Sequence, residues 1–270
     1  MQMRRTLGVI GSGNMGTSFI KGAIQSNLDK IVASDVDEEN LKEIQKAFGI
    51  EITTDNKKVV KDCDVIFLAV KPQILERILV EMGEELAGKL VISVAAGVST
   101  SFIESIIPKG TPVIRAMPNV AAMVGEAAIA LTKGKNAQQE HYDIAKEIFE
   151  KVGVVVEVEE SLMDGVTGLS GTGPLFIFMM VEALSDAGVK VGLSRKTSDI
   201  LVAQTLYGSS KMVKELGRHP GALRDLVTSP GGTAISALHS LEKSGFKAAL
   251  MEAVEVAAKK SSELGTNILK

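Results

Sequence analysis

The residues best suited to chemistry stand near the start of the chain. The apolar run Leu7-Gly8-Val9-Ile10 leads straight into Gly11-Ser12-Gly13-Asn14-Met15-Gly16, a G-x-G-x-x-G turn. In such a turn the first glycine permits the tight bend. The second lets a pyrophosphate approach the backbone, and the third lets the following helix pack close to the strand. The free N–H groups and positive dipole end of that helix then face the phosphates. A second strand-like run, Lys30–Ser34, ends at Asp35, 19 residues beyond Gly16, where a carboxylate accepting from a ribose hydroxyl belongs. The spacing predicts a dinucleotide site on the turn shaped by Gly11, Gly13 and Gly16, with Asp35 beside it. The alternative is a glycine turn in a doubly wound fold that binds nothing.

Weaker signals follow. Ala69-Val70-Lys71-Pro72 and Val94-Ala95-Ala96-Gly97 each come after an apolar run, where loops reach toward a nucleotide outside the carboxyl ends of the strands. The first also reads as an ordinary strand-to-helix turn, and the second, whose small side chains leave space for a flat ring, as close packing of a loop. Asn56 reads as a helix cap or a cofactor ligand, and Asn119 as a cap or a donor to a nicotinamide or substrate. Ser229-Pro230-Gly231-Gly232-Thr233-Ala234 is a tight turn opening a helix. Its exposed N–H groups and two hydroxyls make a small cradle suited to a carboxylate. A capped helix start is the alternative.

The elements positioning these residues fall into two textures. Up to about residue 160, β-rich runs (Thr6–Ile10, Lys30–Ser34, Val65–Val70, Leu90–Val94, Val113–Met117, Ala127–Leu131, Val154–Val158) occur with helix-like stretches such as Met15–Ser26, Glu38–Phe48 and Gln73–Met82. That alternation predicts β-α-β units around a largely parallel sheet. The fold class is therefore α/β: a Rossmann-type doubly wound sheet over 1–160, then an all-helical domain over 161–270 broken at glycine clusters. Phe176–Val181 is apolar around the whole helix circumference, which calls for burial. A helical half this short predicts that a second subunit supplies part of it, as an intertwined dimer.

Composition narrows the class. The chain has 270 residues and a formal net charge of −3, with no long basic block; this argues against a nucleic-acid surface. Its single cysteine, Cys63, rules out an internal disulfide and lies in the acidic run Lys61-Asp62-Cys63-Asp64, a poor setting for a thiolate. The three histidines, His141, His219 and His239, do not pair at metal-ligand spacing, so no metal is expected. Met1–Arg5 leads directly into the first strand, without the apolar run of a secretory signal. The most apolar stretch, Leu175–Val181, is too short for a bilayer. A cytoplasmic protein with no membrane partner is expected.

Taken together the motifs resemble those of the pyrroline-5-carboxylate reductases, nearly end to end. The resemblance rests on Gly11–Gly16, Ala69–Pro72, Ala95–Gly97, Met117–Asn119, Leu169–Pro174, Asp186–Val189, His219-Pro220 and Ser229–Thr233. It implies a Rossmann domain followed by a helical domain that dimerises, sometimes into larger rings. It implies hydride transfer from NADPH or NADH to the C=N carbon of 1-pyrroline-5-carboxylate, giving L-proline. By the same resemblance the cofactor contacts fall on Ile10–Met15, Asp35, Asn56, Ala69, Val70, Lys71, Pro72, Val94, Ala95 and Ala96. The substrate carboxylate falls on Ser229, Gly231, Gly232, Thr233 and Ala234, near the nicotinamide of the same or the partner subunit. No catalytic acid is evident. Two departures stand out. Ala234 replaces the second threonine of the family turn, the group expected to bond the substrate nitrogen. Asp35 stands where NADPH users place a small hydroxyl or a base, and would repel a 2′-phosphate but accept from a free 2′-hydroxyl. Other readings are a reductase of another cyclic imine, a β-hydroxyacid dehydrogenase lacking its expected lysine motif, and a non-enzymatic dinucleotide sensor.

Overall fold

The computed structural model describes residues 6–26 and 28–268; Met1–Arg5 lie outside the described residues. The strands are β1 Thr6–Ile10, β2 Lys30–Ser34, β3 Glu51–Thr53, β4 Val65–Leu68, β5 Leu90–Ser93, β6 Val113–Met117, β7 Ala127–Lys133 and β8 Gly153–Glu157. They form one sheet in the order β3-β2-β1-β4-β5-β6-β7-β8. Every neighbouring pair is parallel except the antiparallel β6–β7. Strand order reverses between β1 and β4, the point at which ligands bind in open α/β sheets.

The helices of this half are α1 Asn14–Ala23, α2 Glu38–Phe48, α3 Asn56–Asp62, α4 Pro72–Met82, α5 Thr100–Ile106, α6 Gln139–Phe149 and the short α7 Met163–Val166. Two buried clusters hold them to the sheet. One packs Phe19 of α1, Phe67 of β4 and Phe149 of α6 together, with Phe19 and Phe67 stacked. The other gathers Val59, Cys63, Leu75, Leu79 and Ile103. β4 is buried along its whole length, as a strand covered on both faces should be. β4 and β5 end sooner than their apolar runs suggest, because Ala69–Val70 and Val94 already belong to the loops beyond. β3, only three residues long, carries no legible apolar run.

Beyond a π-helical turn at Thr167–Gly171 come α8 Gly173–Lys190, α9 Arg195–Leu216, α10 Pro220–Asp225, α11 Thr233–Lys243 and α12 Phe246–Ile268. The glycine clusters mark their boundaries. The chain divides into two compact units: Met1–Thr172 with Glu255–Lys270, and Gly173–Val254. Strands therefore end near residue 160, while the first unit continues to Thr172 and regains the chain at Glu255.

The second unit has no core of its own. Ser185 and Ser198 are its only buried residues. Leu175, Ile177, Phe178, Met179, Ile200, Tyr207 and Met251 are all exposed, Phe178 at 63%. Apolar surface on that scale marks an interaction face. Taken with the preceding turns, Glu160–Lys190 is long and apolar enough to cross a membrane by length and composition, a wider window than Leu175–Val181 alone suggests.

Cys63 is fully buried, and that burial pushes its thiol up to about 12 from an ordinary 9.0. A pKa raised by folding contributes stability that is complete below pH 9 and lost as pH rises from 9 toward 12. The folded protein is expected to resist thiol reagents at pH 8. Its denaturation midpoint is expected to fall above pH 9, more steeply than in Cys63→Ala.

Candidate nucleotide and carboxylate sites

The three glycines of the first turn have three different reasons. Gly11 has φ +90°, and a Cβ there would lie 2.8 Å from the Ala69 carbonyl oxygen. A Cβ on Gly16 would lie 2.0 Å from the Gly11 carbonyl oxygen, so α1 packs this close to β1 only with glycine at that position. A Cβ on Gly13 would meet nothing within 4 Å. Gly13 thus borders open space, and it is also the residue preceding α1, whose first turn receives no side-chain cap. Unpaired N–H groups facing free space make an anion seat.

Beside this turn lies an open hollow of about 680 Å³, bordered by Gly13, Asn14, Lys21, Asp35, Asn40 and Glu43 among others. Asp35 is locked at its edge. Its Oδ2 accepts from the Ser12 N–H at 2.6 Å and from the Ser12 hydroxyl at 3.0 Å. Its Oδ1 accepts from the Asp37 N–H at 3.1 Å. A carboxylate offers about four acceptor positions, so one remains for a ligand hydroxyl. Asn40, which carries no motif signal, donates to both the Ser12 carbonyl and hydroxyl and so steadies the turn from α2. Asp37, Glu39 and Glu43 add carboxylates to the rim, and Lys21 is its one cation among the described lining residues.

The neighbouring loops converge on the same edge of the sheet. The Ala69 N–H donates to the Ile10 carbonyl and the Val94 N–H to the Leu68 carbonyl, which lines up Ala69–Pro72 and Val94–Ala96 along the carboxyl ends of β1, β4 and β5. Pro72 opens α4, with Lys71 just before it. Asn56 is not the cap of α3: that is Asp55, which accepts from the Lys57 and Lys58 N–H groups. The Asn56 side chain instead accepts from the Ser34 hydroxyl at 2.8 Å, next to Asp35. Asn119 caps the turn Val120–Val124 and donates to the Ser170 carbonyl at 3.0 Å. His219 caps α10 through Nδ1. No cluster of metal-ligating side chains occurs among the described residues.

The remaining candidates, Ser229, Gly231, Gly232, Thr233 and Ala234, share one turn of the second unit. Gly231 has φ +69°. A Cβ on Gly232 would lie 2.4 Å from the Ser229 hydroxyl oxygen, so a side chain there would displace that hydroxyl, while the positive φ at 231 favours glycine. Gly232 precedes α11, which again has no side-chain cap. Uncapped backbone N–H groups of this kind, with the Ser229 hydroxyl beside them, can seat an anion.

The family profile described as pyrroline-5-carboxylate reductase dimerisation matches residues 160–264. That of the coenzyme F420-dependent NADP oxidoreductases matches residues 6–97. A pyrroline-5-carboxylate reductase of Methanosarcina acetivorans is 49% identical over 96% of this chain and 97% of its own. That of Arabidopsis thaliana is 40% identical over 96% and 95%. Among solved structures, the pyrroline carboxylate reductase of Plasmodium falciparum with NADP bound superposes with a TM-score of 0.88 at 34% identity, covering 97% of this chain and 99% of that one. The enzyme from Coxiella burnetii gives 0.90 at 32%, covering 97% and 98%.

The glycines separate binding from folding. Gly13→Ala, with φ −65° and open space around it, is expected to keep wild-type thermal stability while weakening nucleotide binding by about tenfold or more. Gly16→Ala is expected to lose about 1–3 kcal/mol of stability from overpacking. Thermal melts and nucleotide titrations on both variants check this.

Proposed function

The chain belongs to the pyrroline-5-carboxylate reductase family and reduces 1-pyrroline-5-carboxylate to L-proline with a pyridine nucleotide; we propose that it accepts NADH efficiently and holds its two anions on two backbone turns. In this reading Ile10–Gly16 seats the pyrophosphate, with Asp35 on the adenosine ribose and Asn56, Ala69–Pro72 and Val94–Ala96 along the rest of the cofactor. Ser229, Gly231, Gly232, Thr233 and Ala234 receive the substrate carboxylate. The observation that carries the first assignment is Gly13, open to space at an uncapped helix start.

The choice of nucleotide rests on Asp35. A 2′-phosphate would meet Asp35, Asp37, Glu39 and Glu43 against Lys21 alone among the described lining residues. A free 2′-hydroxyl would donate to the acceptor position that Asp35 retains. The first arrangement is repulsive at short range and the second favourable.

Bound there, the reduced nicotinamide would supply the hydride. The protein's share is placement. Backbone N–H groups at the starts of α1 and α11 fix the two anions, and orientation of this kind contributes several kcal/mol to a barrier. The substrate's imine is protonated before it reacts, so its nitrogen already carries the proton that the amine keeps, and no side-chain acid is needed. Ala234 offers no hydroxyl to that nitrogen; the Thr233 hydroxyl or a water takes this part. The apolar helices of the second unit are the face that a second copy covers, and rings of such dimers are the larger assembly. The ligands are small molecules and the setting is the cytoplasm, with no nucleic-acid or membrane partner.

The test is oxidation of NADH and NADPH, side by side, with DL-pyrroline-5-carboxylate. Proline is expected as product, with catalytic efficiency on NADH at least equal to that on NADPH. Asp35→Ser is expected to lower efficiency on NADH by about tenfold, the worth of one charge-assisted hydrogen bond, and to shift the ratio toward NADPH. A wild-type enzyme far more efficient with NADPH would overturn the assignment of Asp35.

A further inference from the structure

The loop that follows β5 is held by the far end of the chain. Gly97 has φ +75°, and a Cβ there would lie 2.9 Å from the Ser261 carbonyl oxygen and 3.0 Å from the Gly265 nitrogen. The reverse substitution is tighter still: a Cβ on Gly265 would lie 2.3 Å from the Gly97 carbonyl oxygen. Main chain rests on main chain here. Unlike the tip of a flexible side chain, neither backbone can rotate out of the way, so the last turns of α12 and the loop fix each other.

A polar clamp closes the same arrangement independently. Ser261 donates its hydroxyl to Asp164 at 2.6 Å. Arg115, 5% exposed, pairs with Glu160 at 2.5 Å, and its other terminal nitrogen lies 4.0 Å from Asp164. Glu160 also accepts from the Thr100 hydroxyl at 2.8 Å. Thr100 begins α5 at the far end of the loop, and Arg115 is in register with Ser93 at its near end. Both ends of the loop are thus tied to the 160–164 segment, while its middle is tied to α12.

We infer that the final turns of α12, through Gly265 and Ser261, position the Val94–Ala96 loop against the bound nucleotide. Gly265 and Ser261 are then positioning residues for the reaction, though they lie far in sequence from the nucleotide-binding turns. The inference rests on the proposed cofactor role of Val94–Ala96, and the experiment separates the two.

Four variants are compared: Gly265→Ala, Ser261→Ala, Ala96→Val in the loop itself, and Glu263→Ala as a control on the exposed face of α12. Three readouts are taken on the full-length protein. These are NADH affinity from the nucleotide's own fluorescence, which the absence of tryptophan leaves free of indole background; hydrogen–deuterium exchange over residues 94–99; and the thermal midpoint. Gly265→Ala is expected to weaken NADH binding by about tenfold and to speed exchange over 94–99. Ser261→Ala is expected to do both to a lesser degree, and Glu263→Ala neither. If Ala96→Val loses NADH while Gly265→Ala binds and exchanges like wild type, positioning by α12 is refuted and the cofactor role of the loop stands. If Ala96→Val binds NADH normally, the loop's cofactor role fails and the inference fails with it. If Gly265→Ala does not fold, Ser261→Ala decides: faster exchange with weaker NADH binding supports the inference, and wild-type values for both overturn it.

Discussion

The approach of Gly16 to the Gly11 carbonyl is the constraint on which the nucleotide site depends. A side chain at either position would push α1 away from β1 or away from Ala69. With glycine at both, the uncapped start of α1 stands directly beyond the strand, at the point where the sheet reverses its order. The rest of the site is fitted to that turn. Ser12 is tied to Asp35, Asn40 to Ser12, and the loop after β4 lies against Gly11. The missing side chains thus leave the backbone N–H groups at the start of α1 open to space at Gly13, the arrangement by which a helix start can hold an anion without a cationic side chain.

The second unit has the opposite character. Its helices have legible boundaries, and Ser194 and His219 cap two of them, yet among its residues only two serines are buried. Such a unit gains little from its own packing, since most helical stability comes from burying an apolar face. The family profile for dimerisation covers this stretch, in keeping with an apolar surface of this extent. The Ser229–Ala234 turn stands on this unit. Its geometry is set locally, by the positive φ of Gly231 and the close packing of Gly232 on Ser229.

Much of this was legible in the sequence, and the misses have physical causes. β1, β2 and β6 are legible to the residue because each centres on a β-branched or otherwise apolar stretch bounded by polar residues or breakers. β3 was missed because three residues give no period to detect. The glycine turn was legible because each glycine answers a steric demand within a few residues. Composition alone leaves Asn56 open between helix cap and cofactor ligand, because two cap-forming residues in succession cannot be ranked without backbone angles; the structure gives the cap to Asp55. Asn40 and Arg115 carry no local signal, since their partners lie 28 and 45 residues away. The return of α12 to the first unit was the least legible feature. Gly265 sits in an ordinary helical stretch, and only the position of Gly97 shows why it has no side chain.

The helix starts proposed to seat the two anions, those of α1 and α11, have no side-chain cap, so the donors they offer are backbone N–H groups. The account's central claim is that this enzyme works by placement and needs no acid. The most direct test is the isotope effect on kcat/KM for pyrroline-5-carboxylate, measured with NADH deuterated at the transferred position and, separately, in D2O at matched proton activity. The account predicts slowing with the deuterated nucleotide and no slowing in D2O. A solvent effect as large as the nucleotide effect would contradict it, because a proton from the protein would then be moving in the same step.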